Sequence, residues 1–205
     1  MTRSFAALAA FLLLVLPPAR AALEASMSLH MLLQVPLLAL CGAVLAGSLS
    51  ARARERIARC NAHGIAGLFG VALAMALLMV PRVLDLAVAD LRVDLAKALV
   101  LLACGAALRL SWAPAGALVQ GFFLGNVLPM LGAVGQLYQD SPLRLCNAYL
   151  LDDQVRLGQA LVGAAVAIGV AWFARLLTVL VRRESAAGPP TPARANGINP
   201  QQHLS

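Results

Sequence analysis

Five long apolar runs, separated by short polar segments, dominate the pattern along the chain; they lie at about 28–50, 64–81, 95–111, 115–138 and 159–181. A helix needs about 20 mostly apolar residues to cross the hydrocarbon of a bilayer. Backbone polar groups find no water there, so spanning segments of this kind are helical. The pattern therefore predicts an all-α fold, a polytopic transmembrane helix bundle with five spans.

A shorter apolar run covers residues 5–16, with Arg3 before it and the sequence PPARA after it at 17–21. A basic start, a short apolar stretch and an Ala-x-Ala ending are typical of a cleaved signal peptide. An uncleaved short first membrane helix is the competing interpretation. Residues 1–21 are thus either a signal peptide or a sixth span, followed by a transmembrane helical domain over 22–183.

Basic residues between the runs orient the predicted helices. Segment 51–59 carries four Arg and one Glu, and loops rich in Lys and Arg stay in the cytoplasm. Segments 82–94 and 139–158 then lie outside, and the C-terminus lies in the cytoplasm. Residues 184–205 are rich in Pro and Gly and poor in apolar residues, so we expect a disordered cytoplasmic tail.

Composition agrees with a membrane protein. Of 205 residues, 61% are hydrophobic and 12% charged, and the mean hydropathy is +0.83. A soluble domain carries about 25% charged residues, so a soluble enzyme and a disordered chain are excluded. The net charge of +7 comes almost wholly from Arg spread between apolar runs. This charge therefore indicates how the predicted helices are oriented in the membrane. We expect membrane lipid rather than nucleic acid as the partner.

Polar side chains at membrane depth are costly, so each one is a candidate for function. His30 and Gln34 share one helix face at i, i+4. Imidazole with the thioether of Met27 or Met31 would suit Cu(I); an interfacial His among apolar Met neighbours is the alternative. We expect His30→Ala to leave folding intact, because an imidazole at a helix end packs little.

The segment from Leu84 to Lys97 has an apolar stripe at i, i+4, i+7, with Asp90, Asp94 and Lys97 on the other side. It predicts an amphipathic helix at the outer surface. Its polar face is either solvated, with an Asp94–Lys97 pair, or a docking surface for a periplasmic domain.

The last outside segment combines aromatic and acidic residues. Tyr138 and Tyr149 stand where aromatic belts lie, and Asp152 or Asp153 is suited to cap the helix that follows. The sequence contains no Ser/His/Asp or Cys/His arrangement that could assemble, because His30 and His63 are predicted on opposite sides of the bilayer. We therefore expect no enzymatic activity.

Gly121 and Gly125 form a GxxxG motif followed by Asn126. This spacing lets two helices approach closely, and a buried Asn donates hydrogen bonds across such a contact. We expect a packing seam here and a loss of stability in Gly125→Leu. A transport pathway, with the chain kinked at Pro129, is the alternative interpretation.

In four pieces and in the right order, the chain resembles the CtaG-like cytochrome c oxidase assembly factors of bacterial inner membranes. The pieces are residues 28–38 with His30, Met31, Gln34 and Pro36; residues 80–87 with Pro81 and Asp85; a helix ending near Trp112; and Asp153-Gln154 with Gly158. In that family the first apolar run is a membrane helix, which favours six spans here.

The resemblance implies a non-enzymatic, multi-pass inner-membrane protein that assists assembly or copper loading of a respiratory oxidase. Its partner would be an oxidase subunit or a periplasmic copper donor, with transient copper the possible cofactor. Family members carry several outward-facing His, of which His30 alone is present, and Gln34 stands where a second His is expected. Gln is a poor Cu(I) ligand, so a structural accessory subunit without metal, or a small-solute transporter, remains an alternative.

Overall fold

A computed structural model of the chain describes residues 2–143, 145 and 149–187, apart from the side chains at 81, 84, 186 and 187. The all-α prediction is confirmed, since no strand occurs among these residues. The helices are α1 (Thr2–Val15), α2 (Pro17–Glu24), α3 (Met27–Gly47), α4 (Ala51–Cys60), α5 (Ile65–Leu78), α6 (Pro81–Ala89), α7 (Leu91–Asp140) and α8 (Leu151–Ala187).

Two helices are individually long and apolar enough to cross a membrane, Met27–Gly47 and Leu151–Ser185. Two bent pairs meet the same test when each is taken as one broken span. Helix α1 bends by 67° into α2, and α4 bends by 63° into the helix that ends at Leu78. By length and composition the described residues thus supply two spans, or up to four, and the predicted five are not confirmed.

Helix α7 consists of two antiparallel arms, 91–115 and 117–140. Gly116 has φ 63° and ψ 176°, a backbone conformation open essentially only to glycine. The rings of Trp112 and Phe123 lie 6.3 Å apart, whereas eleven residues of straight helix would separate them by about 16 Å. The Gln120 side chain donates to the Trp112 carbonyl at 2.7 Å across the turn. The two apolar runs predicted at 95–111 and 115–138 are therefore the arms of one helical hairpin.

Glycines let α3 lie directly on the first arm of α7. A Cβ at Gly42 would overlap the Leu102 carbonyl, and a Cβ at Gly105 would overlap the Ala39 carbonyl. Gly135 and Gly158 bring the second arm against α8 in the same way. Backbones approach this closely only where one side has no side chain.

The seam predicted at Gly121 and Gly125 is not found at Gly125 among the residues that the structure describes. A Cβ at Gly125 would touch no atom outside its own helix. Asn126 is exposed and donates to the carbonyl of Phe122, one turn back. The GxxxG spacing is present, but Gly125 and Asn126 are exposed, because the neighbouring Phe123, Leu124 and Val127 fill the packed side.

The N-terminal helices are packed into the bundle. Leu14 lies in a core cluster with Leu38, Cys41 and other residues of α3 and α7. Pro18 has no N–H for the carbonyl of Leu14, and this carbonyl accepts a 3.5 Å hydrogen bond from Gln34 instead. The segment predicted as signal peptide or sixth span thus makes specific contacts with α3.

Helix α3 contains one π-helical turn, His30–Gln34, in which the Val35 N–H donates to the His30 carbonyl. Pro36 follows immediately and cannot donate to Leu32, so the regular ladder is interrupted here. π-turns inside α-helices often lie at functional sites. This one places His30, Met31 and Gln34 together on the buried side.

The chain divides into two units, residues 1–170 and 171–205. In the second unit the structure describes the end of α8, to Ala187, so the helix continues four residues into the predicted tail. The remainder of that tail, 188–205, lies outside the described residues.

A buried polar network as the candidate functional site

Four charged side chains meet inside the bundle. Lys97 lies 2.7 Å from Asp94 and 3.6 Å from Glu24. Arg20 lies 2.9 Å from Glu24 and 3.1 Å from Asp94. Two cations thus face two carboxylates with no net charge, which is the arrangement that makes buried ions tolerable.

Residues of three helices build this cluster. Arg20 and Glu24 are one turn apart on α2, and Asp94 and Lys97 are one turn apart on α7. The Arg20 guanidinium also donates to the carbonyls of Ala87 and Val88 at the end of α6. These carbonyls are left free where α6 stops, so a cation is well placed there.

His30 connects the cluster to the rest of the site. Its Nε2 lies 3.2 Å from the Lys97 ammonium and its Nδ1 lies 3.0 Å from the Tyr149 hydroxyl. An ammonium has only donors, so Nε2 accepts and the imidazole proton is on Nδ1, which donates to Tyr149. His30 is 1% exposed, with both ring nitrogens in use.

This burial corrects two sequence predictions. His30 is not an interfacial side chain with little packing, so the expectation that His30→Ala leaves folding intact loses its basis. The amphipathic segment also faces the other way: Asp94 and Lys97 are buried, whereas Leu91 and Leu95 are exposed. The predicted helix from 84 to 97 is in addition broken at Asp90, which caps α7 by accepting from Arg92.

The physical reason for the inversion is the solvent. In water a helix turns its polar face outward, but beside lipid the exposed face is the apolar one, and ionisable groups turn towards the protein interior. Leu91 and Leu95 of the predicted stripe therefore face outward, and the predicted Asp94–Lys97 pair forms in the protein interior rather than on a solvated face.

Asp153 caps a helix, but not its own. It accepts hydrogen bonds from the hydroxyls of Ser26 at 2.9 Å and Ser28 at 2.7 Å, and from the backbone N–H groups of Met27 and Ser28. These N–H groups belong to the first turn of α3, whose donors have no intrahelical partner. A carboxylate at a helix N-terminus is also favoured by the helix dipole.

Gln154 is fully buried and connects the end of α7 with Leu143 and Leu145. Its amide donates to the carbonyls of Tyr138 and Leu143, and its oxygen accepts from the N–H of Leu145. One turn on, Gly158 lies against Gly135. Tyr149 is thereby placed over His30, with the two rings edge to face at 6.2 Å.

The other predicted site residues lie near this end of the bundle or within its core. Met27 and Met31 are buried in a cluster with Tyr138, Tyr149 and Leu157. Gln34 is 2% exposed, and its side-chain oxygen has no hydrogen-bond partner among the described residues. Pro81 begins α6 and Asp85 is partly buried within it.

The metal assignment to His30, Met27 and Met31 stays a prediction. Within the part of the chain that the structure describes, no three His, Cys, Asp or Glu side chains are grouped to hold an ion. His30 would have to give up its contact with Lys97 or Tyr149 to bind copper. The donor set that fits Cu(I) here is therefore the thioethers, which make no competing hydrogen bond of comparable strength.

Sequence reasoning missed Arg20 and Glu24 altogether. Both lie in the segment that is read as signal peptide or short span. The available signal was an Arg–Glu pair at i, i+4 directly after Pro17-Pro18, in a chain with few charges. Its partners, 67 or more positions away, could not be identified without the tertiary structure.

No model of a protein family, no curated protein and no solved structure matches this chain. The resemblance to CtaG-like factors therefore stands on the order and spacing of its four motif pieces.

Proposed function

We propose that this chain is a non-enzymatic, multi-pass protein of the bacterial inner membrane that helps to assemble a copper-containing cytochrome c oxidase. It would hold an oxidase subunit or a periplasmic copper donor at the end of the bundle where the buried network lies. The first motif piece meets the last there: Ser28 donates to Asp153, 125 positions away, and His30 contacts Tyr149, four positions before Asp153. This convergence is the observation that carries the proposal.

The shape of the network suits a scaffold more than a catalyst. Its ions are paired, the imidazole is held at both nitrogens, and Asp153 is occupied by the start of α3. Networks in which buried ions are paired and polar groups are hydrogen-bonded make a structure rigid and unique. A rigid end to the bundle would present a constant surface to a partner during assembly.

A deletion strain tests this function. We expect loss of cytochrome c oxidase activity and of its haem signals, restored by the wild-type chain. A His30→Gln variant at normal membrane level should not restore activity, whereas the exposed control Asn126→Leu should. Unchanged oxidase activity in the deletion strain at every copper concentration would overturn the proposal.

The proposed topology has five or six spans. By the positive-inside rule, α4 and the C-terminus lie in the cytoplasm. Cys60 at the end of α4 is exposed, so it can report the side. In a variant that keeps Cys60 and replaces the other cysteines, we expect an impermeant maleimide to label it only after the membrane is permeabilised. A cysteine at Asp152 should be labelled in intact spheroplasts; the reverse pattern would contradict the topology.

A structural accessory subunit without metal is the second candidate. The exposed Gly125 and Asn126 favour it, because a Cβ at Gly125 would meet no atom of the described residues and the GxxxG motif is open to a neighbouring helix there. Stoichiometric copurification with a membrane complex, lost in Gly125→Leu but not in Gly132→Leu, would select this function over transient assembly.

A further inference from the structure

A small cavity next to the network is lined by three methionines. Met31 comes from α3, Met75 from the last turn of α5, and Met79, one turn further on, directly follows the end of α5. The cavity measures about 30 Å³, which is the space of a single water molecule or ion. The remaining lining residues are Val35, Leu78, Lys97 and Leu101.

The donor chemistry of this cavity is unusual. Three of its lining side chains carry thioether sulfurs, which are soft donors, and the other lining side chains are aliphatic apart from Lys97. Soft thioether ligands select Cu(I) over hard cations such as Mg²⁺ or Ca²⁺, which require oxygen. Copper in its reduced state is stable with sulfur donors and without water.

Two carboxylates compensate the positive charge of Lys97 beside the cavity. Asp94 at 2.7 Å and Glu24 at 3.6 Å compensate it, and Arg20 holds the same carboxylates from the other side. The charged network therefore adds no net positive charge next to the three sulfurs. It does fix Lys97, and with it one wall of the cavity.

We propose that this cavity binds one Cu(I) ion through the sulfurs of Met31, Met75 and Met79. The site differs from the set predicted at His30, Met27 and Met31. His30 is engaged at both nitrogens, and Met27 does not line this cavity. The inference deepens the proposed assembly function and rests on it for its purpose, but the binding itself requires no oxidase.

The test is a Cu(I) titration of the purified full-length chain in detergent, under reducing and anaerobic conditions, against a chromophoric Cu(I) chelator. We expect one ion per chain. Met31→Leu, Met75→Leu and Met79→Leu conserve volume and should each weaken binding at least about tenfold, corresponding to about 1.4 kcal/mol. The matched control Met130→Leu, outside the cavity, should bind as the wild type does.

X-ray absorption of the loaded protein gives a second readout. A first shell of sulfur alone, lost stepwise in the single Leu variants, supports the site. Unchanged binding in Met75→Leu and Met79→Leu, an absence of binding by the wild type, or a nitrogen neighbour lost in His30→Gln would overturn it. Helix content and a monodisperse elution profile for each single variant separate loss of a ligand from loss of the fold.

The two proposals fail separately. An unaffected oxidase in the deletion strain together with Met-dependent Cu(I) binding would remove the assembly function and keep the metal site. Lost oxidase activity that the triple Met→Leu variant fully restores would keep the assembly function and remove any role for the site in it.

Discussion

The four charged side chains of the buried network depend on one another, because each would be costly to bury without a partner of opposite charge. Asp94 and Lys97 are 2% and 4% exposed, and an ion taken out of water is tolerated only with a partner and further hydrogen bonds. Each member therefore depends on the others, and removal of one leaves an uncompensated charge. His30 extends this dependence to Tyr149, and so to the segment before α8.

Lys97→Gln should be strongly destabilising. It removes one of two cations facing Asp94 and Glu24, and breaking a buried ion arrangement by removal of one partner costs about 3–5 kcal/mol. Thermal unfolding in detergent measures the loss. Arg92→Gln removes the same charge from an exposed position five residues away and should have little effect. Equal effects of the two substitutions would show that the network is not a stabilising unit.

Asp153→Asn should lower the free energy of unfolding by about 1–3 kcal/mol, the range for a charged acceptor removed from several donors. Its carboxylate serves two hydroxyls and two backbone N–H groups at the start of α3. The neighbouring Asp152 is exposed, so Asp152→Asn is the control. A larger loss in the Asp152 variant would contradict the assignment of the cap to Asp153.

Helix contacts in this chain are decided by where small residues meet a backbone. At Gly42, Gly105, Gly135 and Gly158 another helix lies so close that no Cβ fits. At Gly125 there is open space. The same residue type thus marks a packing contact at one position and an exposed surface at another, and spacing alone does not distinguish the two.

Gly105→Ala should destabilise the bundle by about 1–3 kcal/mol, the cost of forcing extra volume into a packed interface. Gly125→Ala should be neutral or stabilise by up to about 1 kcal/mol, because Ala favours a helix where space is available. Unfolding of the two variants in the same detergent provides the comparison. A stable Gly105 variant and an unstable Gly125 variant would place the seam where the sequence predicted it.

At the scale of the whole molecule, the N-terminal helices behave as part of the fold. Leu14 packs on α3, its carbonyl accepts from Gln34, and Arg20 completes the ion network and caps α6. Removal of residues 1–21 would leave Glu24 and Asp94 with one cation in place of two. The short first membrane helix is therefore the interpretation that these contacts favour.

Intact mass measurement of the protein purified from membranes should find residues 1–21 still attached. Edman sequencing of the same sample checks the start of the chain. A mature N-terminus at Ala22 would contradict retention. It would also predict that Arg20→Gln has no effect on stability, whereas retention predicts a loss comparable to that of Lys97→Gln.

The sequence by itself determined the helical class, the apolar runs, and the residues worth examining at 28–36 and 153–158; it predicted the break between two runs at 112–114, whereas the structure places it at Gly116. These follow from local period, composition and the absence of water in lipid. The sequence could not show whether the polar or the apolar face of 91–97 is buried. The same helical period fits a helix with its polar face towards water and a helix with its apolar face towards lipid.

Only the tertiary structure decided which residues meet. Arg20 with Asp94, His30 with Lys97 and Tyr149, and Asp153 with the start of α3 are separated by tens of positions or more. Their pairing depends on the bend after α1, the reversal at Gly116 and the close glycine contacts, which set distances that no local pattern contains. A buried charge requires a partner, but the sequence does not say from which helix that partner comes.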